Sequence, residues 1–214
     1  MMRFQAVIFD LDGTLVDSYS AILESLNDTR LAFGLPPYEL EAVKGMVGRG
    51  LENLMRQALG DERYKEGMAI FRKSYDDTHL RGTVLLPGVQ QTLAELQARG
   101  VRMAVATNKP SDYSLNILKY LGVDSFFAEC SGPDRAGRTK PDPAMLNVLM
   151  MAMNVRPAET LYVGDMVLDA ETARNAGVRL ALIATGGNSF AELEAAEPDF
   201  LFHDITGLIS LFEQ

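Results

Sequence analysis

The chain predicts an α/β fold: a doubly wound parallel sheet flanked by helices and interrupted once by a helical insert. Three observations predict it. Short apolar runs recur at residues 4–9 (FQAVIF), 101–106 (VRMAVA), 160–163 (TLYV) and 179–184 (RLALIA), with a weaker one at 199–202 (DFLF). Helical stretches lie between them, at 111–121, 144–153, 170–176 and 190–195. From about 16 to 81 the strand pattern is missing and helical patterns take over, at 17–32, 51–59 and 62–78.

Each element has a local reason. Apolar runs of four to six residues bounded by polar or glycine positions suit strands covered on both faces. Strands that alternate with helices need crossover connections, and right-handed crossovers align the strand C-termini along one edge of the sheet. Within the insert, Gly34-Leu35-Pro36-Pro37 and Gly48-Arg49-Gly50 break the helical pattern, and Leu86-Pro87-Gly88-Val89 marks the return to α/β. The expected organisation is a core of residues 1–15 and 82–214 with a small helical domain at 16–81. The methionines of 145–153 read as core filling at helical spacing.

Composition narrows the function classes. The 214 residues are 47% hydrophobic and 23% charged, as in an ordinary globular chain, and the formal net charge is −9. That balance offers no global field for nucleic acid or anionic lipid. An anionic substrate would need local positive charge. The single cysteine, Cys130, cannot form an internal disulfide, which fits a reducing compartment; beside Phe126 and Phe127 it reads as a buried, inert thiol. Met1-Met2-Arg3-Phe4 lacks the pattern of a signal peptide, and no apolar run approaches the ~20 residues of a membrane span. The reading is a cytoplasmic protein. His79 and His203 are expected at the surface, and nothing in the sequence marks a dimer face.

The strongest chemical signal is Asp10-Leu11-Asp12-Gly13-Thr14-Leu15. Carboxylates at i and i+2 on extended chain point the same way, and Gly13 lets the chain turn at once. Two carboxylates held so close repel each other, a cost that a cation or acid/base work would explain. Three further polar points follow predicted strands or precede predicted helices. They are Thr107-Asn108, Lys140 in Lys140-Pro141-Asp142-Pro143, and Gly164-Asp165-Met166-Val167-Leu168-Asp169. In a doubly wound sheet all four segments meet beyond the strand C-termini. Asp10, Asp12, Asp165 and Asp169 around one lysine call for a divalent cation. Hard oxygen ligands in an incomplete cage suggest Mg²⁺ completed by water and phosphate. Lys140 and the Thr107 hydroxyl can then hold phosphate oxygens.

With these four motifs in this order, DLDGTL, Thr107, KPDP and GDMVLD, the whole chain resembles the haloacid dehalogenase superfamily of phosphotransferases. The resemblance implies a Rossmann-like core, and the insert looks like the small helical cap of the first cap class. Length, cap type, the GRG turn and SGPDRAGRTKPDP are most similar to phosphoglycolate phosphatase-like members. The resemblance implies that Asp10 attacks phosphorus and becomes an aspartyl-phosphate. Asp12 would act as acid and then base, with its backbone carbonyl on Mg²⁺. Thr107, with Asn108, would bind the transferring group, and Lys140 would neutralise it. Asp165 would ligate Mg²⁺, and Asp169 would support the metal or Lys140. Met166 departs from the small polar residue that many relatives carry there.

The expected partner is a small phosphorylated metabolite. Arg49, between two glycines, is a candidate contact for a second anionic group such as a carboxylate. Alternatives within the superfamily are a sugar-phosphate mutase, a pyrophosphatase, a dehalogenase and a phosphonate hydrolase. Asp12 and the acidic fourth motif speak against the dehalogenase. The phosphonate hydrolase would want a cap lysine, for which Lys44 is a candidate. A phosphoacceptor receiver module is disfavoured, since its acceptor lies on a later strand and it lacks the insert.

Overall fold

The computed structural model describes residues 4–213. Residues 1–3, part of the segment read as lacking a signal peptide, and residue 214 lie outside the described residues. In chain order, β1 (Ala6–Phe9) and β2 (Val16–Asp17) precede four helices, α1 (Tyr19–Ala32), α2 (Leu40–Lys44), α3 (Leu51–Leu59) and α4 (Tyr64–Thr78). Then come β3 (Val84–Leu85), α5 (Val89–Ala98), β4 (Arg102–Ala106), α6 (Ser111–Tyr120), β5 (Glu129–Ser131) and α7 (Pro133–Ala136). Next come α8 (Ala144–Met153), β6 (Thr160–Gly164), α9 (Val167–Ala176), β7 (Arg179–Ile183), α10 (Phe190–Ala195) and β8 (Phe200–Phe202), followed by a 3-10 helix at Ile205–Leu211.

Six strands form one parallel sheet in the order β5-β4-β1-β6-β7-β8. All four residues of β1 are fully buried, as a central strand covered on both faces must be. Alternation divides the strand residues between two layers. Val7, Phe9, Met103, Val105, Leu161 and Val163 pack with Leu93 and Leu96 of α5 and Ile117 and Leu118 of α6. On the other face Ala6, Ile8, Ala104 and Tyr162 meet Met145, Leu149 and Met153 of α8. The methionine-rich helix therefore fills core, except Met151, which is 81% exposed. Helix α10 starts at a capping box in which Ser189 and Glu192 satisfy each other's backbone amides.

Helices α1, α3 and α4 bury an apolar cluster of their own, including Ile22, Leu26, Met55 and Phe71. The insert is not strand-free: Val16 and Asp17 pair antiparallel with Leu85 and Val84. This short ribbon closes the point where the chain leaves and re-enters the main sheet. Strand β5 also lacks the apolar run expected of a strand, because it is a three-residue edge containing Glu129 and Ser131. Cys130 within it is buried, and burial pushes its thiol up to about 12. His79 overturns the surface expectation. It ends α4 with its ring against Tyr75 and Tyr113 and is only 8% exposed. His203 is exposed. Among the described residues, no helix is long and apolar enough to cross a membrane.

Candidate active site

The sheet order reverses direction at β1, whose neighbours β4 and β6 come from opposite halves of the chain. A crevice at such a switch point is where doubly wound sheets bind ligands. Asp10 directly follows β1, Thr107 follows β4 and Asp165 follows β6.

Lys140 reaches the same point from the loop before α8. Its ammonium is buried, with Asp10 Oδ2 at 2.7 Å and Asp169 Oδ1 at 2.8 Å. It also donates to the Tyr162 hydroxyl at 3.1 Å, so all three of its N–H groups are engaged. Tyr162 in turn donates to Asp169 Oδ1 at 2.7 Å. Burial alone would lower the lysine pKa, but the Asp10 and Asp169 carboxylates outweigh it and hold Lys140 charged.

Asp169 sits in the first turn of α9, where its Oδ2 accepts from the backbone N–H of Asp165 at 3.2 Å and Met166 at 3.0 Å. Helix α9 begins at Val167, after Asp165, so Asp165 and Asp169 do not share a helix face despite their i, i+4 spacing. The Asp169 carboxylate instead folds back over the helix N-terminus. Oxygens of Asp10, Asp165 and Asp169 nevertheless lie within 4.8 Å of one another.

Asp165 is fully buried. Its Oδ1 accepts from the Thr14 hydroxyl at 2.7 Å, whereas Oδ2 has no hydrogen-bond partner. A Cβ at Gly13 would stand 2.4 Å from that oxygen, and one at Gly186 only 1.6 Å. The two glycines thus cradle an orphaned anionic atom, and Gly13 has φ +83°. Burying such an atom without a partner costs several kcal/mol unless a proton or a cation joins it. Burial, then the Asp169 and Asp10 charges, pushes the Asp165 pKa well up. For Asp10, burial and Asp169 raise the pKa from 3.8 to about 6 against the pull of Lys140. This donor set fits a hard divalent cation beside Asp10 and Asp165.

The i, i+2 aspartates meet different cations. Asp12 Oδ1 accepts from Lys109 Nζ at 2.5 Å and from the Ser18 hydroxyl at 2.5 Å. Lys109 was not foreseen, although it stands next to Thr107-Asn108 in sequence. It means that four carboxylates face two lysines, which lowers but does not remove the negative surplus. Thr107 is buried, and its Oγ1 accepts from the Lys109 backbone N–H at 3.2 Å. Asn108 clamps two segments together: its Oδ1 accepts from Lys140 N at 2.8 Å, and its Nδ2 donates to Gly48 O of the insert at 2.9 Å.

A cavity of about 80 Å³ lies between these strand ends and the insert. Asp10, Asp12, Thr107, Asn108 and Lys109 line it from the core, and Gly48 and Gly50 line it from the insert. Arg49 is exposed and is not on the wall; the arginine that reaches the wall is Arg72 of α4. Met166 packs its sulfur over Gly48, which accounts for a large side chain at that position. Lys44 also lies off the wall, paired with Glu41 at 2.8 Å, which gives a Schiff-base role no support.

A sequence model described as haloacid dehalogenase-like hydrolase matches residues 7–183. A phosphoglycolate phosphatase of Pseudomonas putida (strain KT2440) is 35% identical over 212 residues, 95% of this chain and 78% of that protein. A phosphoglycolate phosphatase of Rhodobacter capsulatus is 35% identical over 214 residues, covering 97% of this chain and 96% of the relative. The crystal structure of a predicted phosphoglycolate phosphatase from Haemophilus somnus 129pt superposes with a TM-score of 0.93 at 29% identity, covering 100% of both chains.

Proposed function

The chain belongs to the haloacid dehalogenase-like hydrolase family, and on that premise we propose that it is a Mg²⁺-dependent phosphatase of a small, phosphoglycolate-like monoester that works through an aspartyl-phosphate on Asp10. The proposed organisation is an α/β core at 1–15 and 82–214 and a cap at 16–81 that encloses the substrate. The observation that carries the reading is Asp10 on the cavity wall, with Lys140 2.7 Å away and the orphaned Asp165 Oδ2 in the same cluster.

In the first step an Asp10 oxygen attacks phosphorus, the P–O bond to the leaving alcohol breaks, and Asp12 gives that oxygen a proton. In the second, water attacks the acyl phosphate, Asp12 takes the proton from water, and inorganic phosphate leaves with Asp10 restored. Lys140 neutralises Asp10 and the incoming phosphoryl charge, and the Thr107 hydroxyl donates to a phosphoryl oxygen. Asn108 holds the Lys140 loop beside the substrate. Asp10, Asp165 and the Asp12 carbonyl would hold Mg²⁺, which supplies charge stabilisation for the phosphoryl oxygens. Asp169, with both oxygens engaged by Lys140, Tyr162 and backbone amides, supports this assembly. Phosphate release from phosphoglycolate in Mg²⁺, with acid-quench trapping of a phosphoenzyme, tests the reading; no release from any ester in a broad panel would end it.

Two expectations follow directly from this mechanism. Asp12→Asn should fold normally by circular dichroism and lower kcat by roughly 10²–10⁴-fold, the range of a lost general acid/base. An unchanged kcat would remove Asp12 from that role. Separately, Mg²⁺ at 100 times its Kd should stabilise the fold by about 2.7 kcal/mol, or about 5–10 °C in Tm relative to chelator. At one fixed Mg²⁺ concentration the gain should be larger at pH 7.5 than at pH 5. Asp10 titrates near 3.8 when unfolded and about 6 when folded, so the metal-free fold binds more protons in that window and loses stability as pH rises through it. A cation removes the penalty at the higher pH. Equal melting curves in Mg²⁺ and chelator at both pH values would contradict the metal assignment.

A further inference from the structure

The wall of the cavity away from Asp10 is built from groups that the two-step chemistry does not use. Tyr75 of α4 is 3% exposed and lines the cavity, and its hydroxyl makes no hydrogen bond of good geometry, although the Lys109 ammonium interacts with it. A buried hydroxyl left without a well-formed hydrogen bond is uncommon. The ring cannot easily turn it elsewhere. Phe71 stacks on it at a centroid distance of 5.3 Å and Tyr113 meets it edge-on at 5.2 Å. Tyr113 is itself tied to the insert by donating to Asp76 at 2.5 Å.

Two cations share that wall. The Lys109 ammonium, buried on Asp12, lies 5.4 Å from the centre of the Tyr75 ring. Arg72, one helical turn before Tyr75, lines the cavity and makes no ion pair among the described residues. The rest of the insert's contribution is apolar, from Ile22, Val47 and Leu54. On the insert's side of the cavity, one hydroxyl and one guanidinium stand among apolar side chains, with the Lys109 ammonium facing them from the core, and this set suits one small anion attached to a short tail.

We propose that Tyr75, Arg72 and Lys109 form a subsite for the carboxylate of the leaving alcohol, so that the enzyme selects phosphate esters of short hydroxy acids. The proposal rests on the phosphatase reading above and adds its specificity determinant. The Tyr75 hydroxyl and the Arg72 guanidinium donate to the carboxylate from the cap. Lys109 contributes from the core, and its contact with Asp12 couples tail recognition to the acid/base group. The anion-binding residue of the cap is then on α4 and not in the Gly48-Arg49-Gly50 turn.

The experiment compares kcat/KM for phosphoglycolate and ethyl phosphate, two-carbon esters that differ in the carboxylate. It uses wild type, Tyr75→Phe and Arg72→Gln in Mg²⁺. Tyr75→Phe retains the ring stack, and Arg72 is on an exposed helix face, so both should fold; melting curves check this. The wild-type ratio should favour phosphoglycolate by at least about 10²-fold, and each variant should lower the ratio by roughly 10-fold, as for a lost hydrogen bond to a charged group. Glycolate should raise the wild-type Tm in the presence of Mg²⁺ and inhibit ethyl phosphate hydrolysis, with Ki raised in both variants. A merely structural tyrosine would not move these glycolate readouts. Wild-type turnover of both esters at similar kcat/KM, or a ratio unchanged in both variants, overturns the subsite and leaves the phosphatase standing. Turnover of neither ester, with no Tm response to glycolate, overturns the subsite, and failure across the broad ester panel overturns the phosphatase reading as well.

Discussion

Asp10→Asn is expected to abolish measurable turnover, a loss of at least about 10⁴-fold in kcat, while the fold remains intact. The amide oxygen is not a nucleophile toward phosphorus, and no other carboxylate occupies the same position at the end of β1. Asp12, two residues on, is held by Lys109 and Ser18. Asp169 is held by Lys140, Tyr162 and two backbone amides. The stability effect should have the opposite sign from the activity effect. Burial already raises the Asp10 pKa to about 6, so in chelator at neutral pH its charge opposes folding. Replacing it with a neutral amide should leave the metal-free Tm equal to or above that of wild type and should shrink the Tm gain from Mg²⁺. Activity within tenfold of wild type, in protein shown free of contaminating phosphatase, would exclude Asp10 as nucleophile.

The second large effect falls on Lys140→Met, and here activity and stability should be lost together. Lys140 sits between two buried carboxylates, 2.7 Å from Asp10 and 2.8 Å from Asp169. Removing the cation leaves both uncompensated, a change that typically costs about 3–5 kcal/mol in a buried pair. Loss of charge stabilisation for the phosphoryl group should lower kcat by roughly 10²–10³-fold. Urea denaturation in chelator measures the first effect, and phosphate release in Mg²⁺ measures the second. The double variant with Asp10→Asn should recover part of the stability, with a coupling of about 0.5–3 kcal/mol. A Lys140→Met protein as stable as wild type would mean that the two carboxylates are neutralised by some other means.

The reasons why some residues were legible and others not are physical. The central strands could be read because strands covered on both faces need continuous apolar runs, and β1, β4, β6 and β7 have them. Asp10, Thr107 and Asp165 could be placed together because a parallel doubly wound sheet aligns the ends of its strands. Short edge elements escaped the same logic. Strand β5 and the β2–β3 ribbon are two or three residues long, and their pairing depends on a neighbour rather than on their own pattern. The burial of His79 also depended on a neighbour, since it is the packing of α4 against Tyr113 of α6 that covers the ring.

By itself the sequence determined the chain order of the central strands, the helical character of the insert and the convergence of Asp10, Thr107 and Asp165 at the strand ends. Those are consequences of hydrophobic periodicity and chain direction, which are local and additive along the chain. Only the tertiary structure decided which cation meets which carboxylate. Lys109 and Asp12 are 97 residues apart, and Lys140 and Asp169 are 29 apart, so their pairing is set by how loops fold over the sheet edge. It also decided that Arg72 and Tyr75, and not Arg49, reach the cavity. The direction of a helical side chain becomes a position in space only when packing fixes the rotation of its helix, as the apolar cluster shared by α1, α3 and α4 does here.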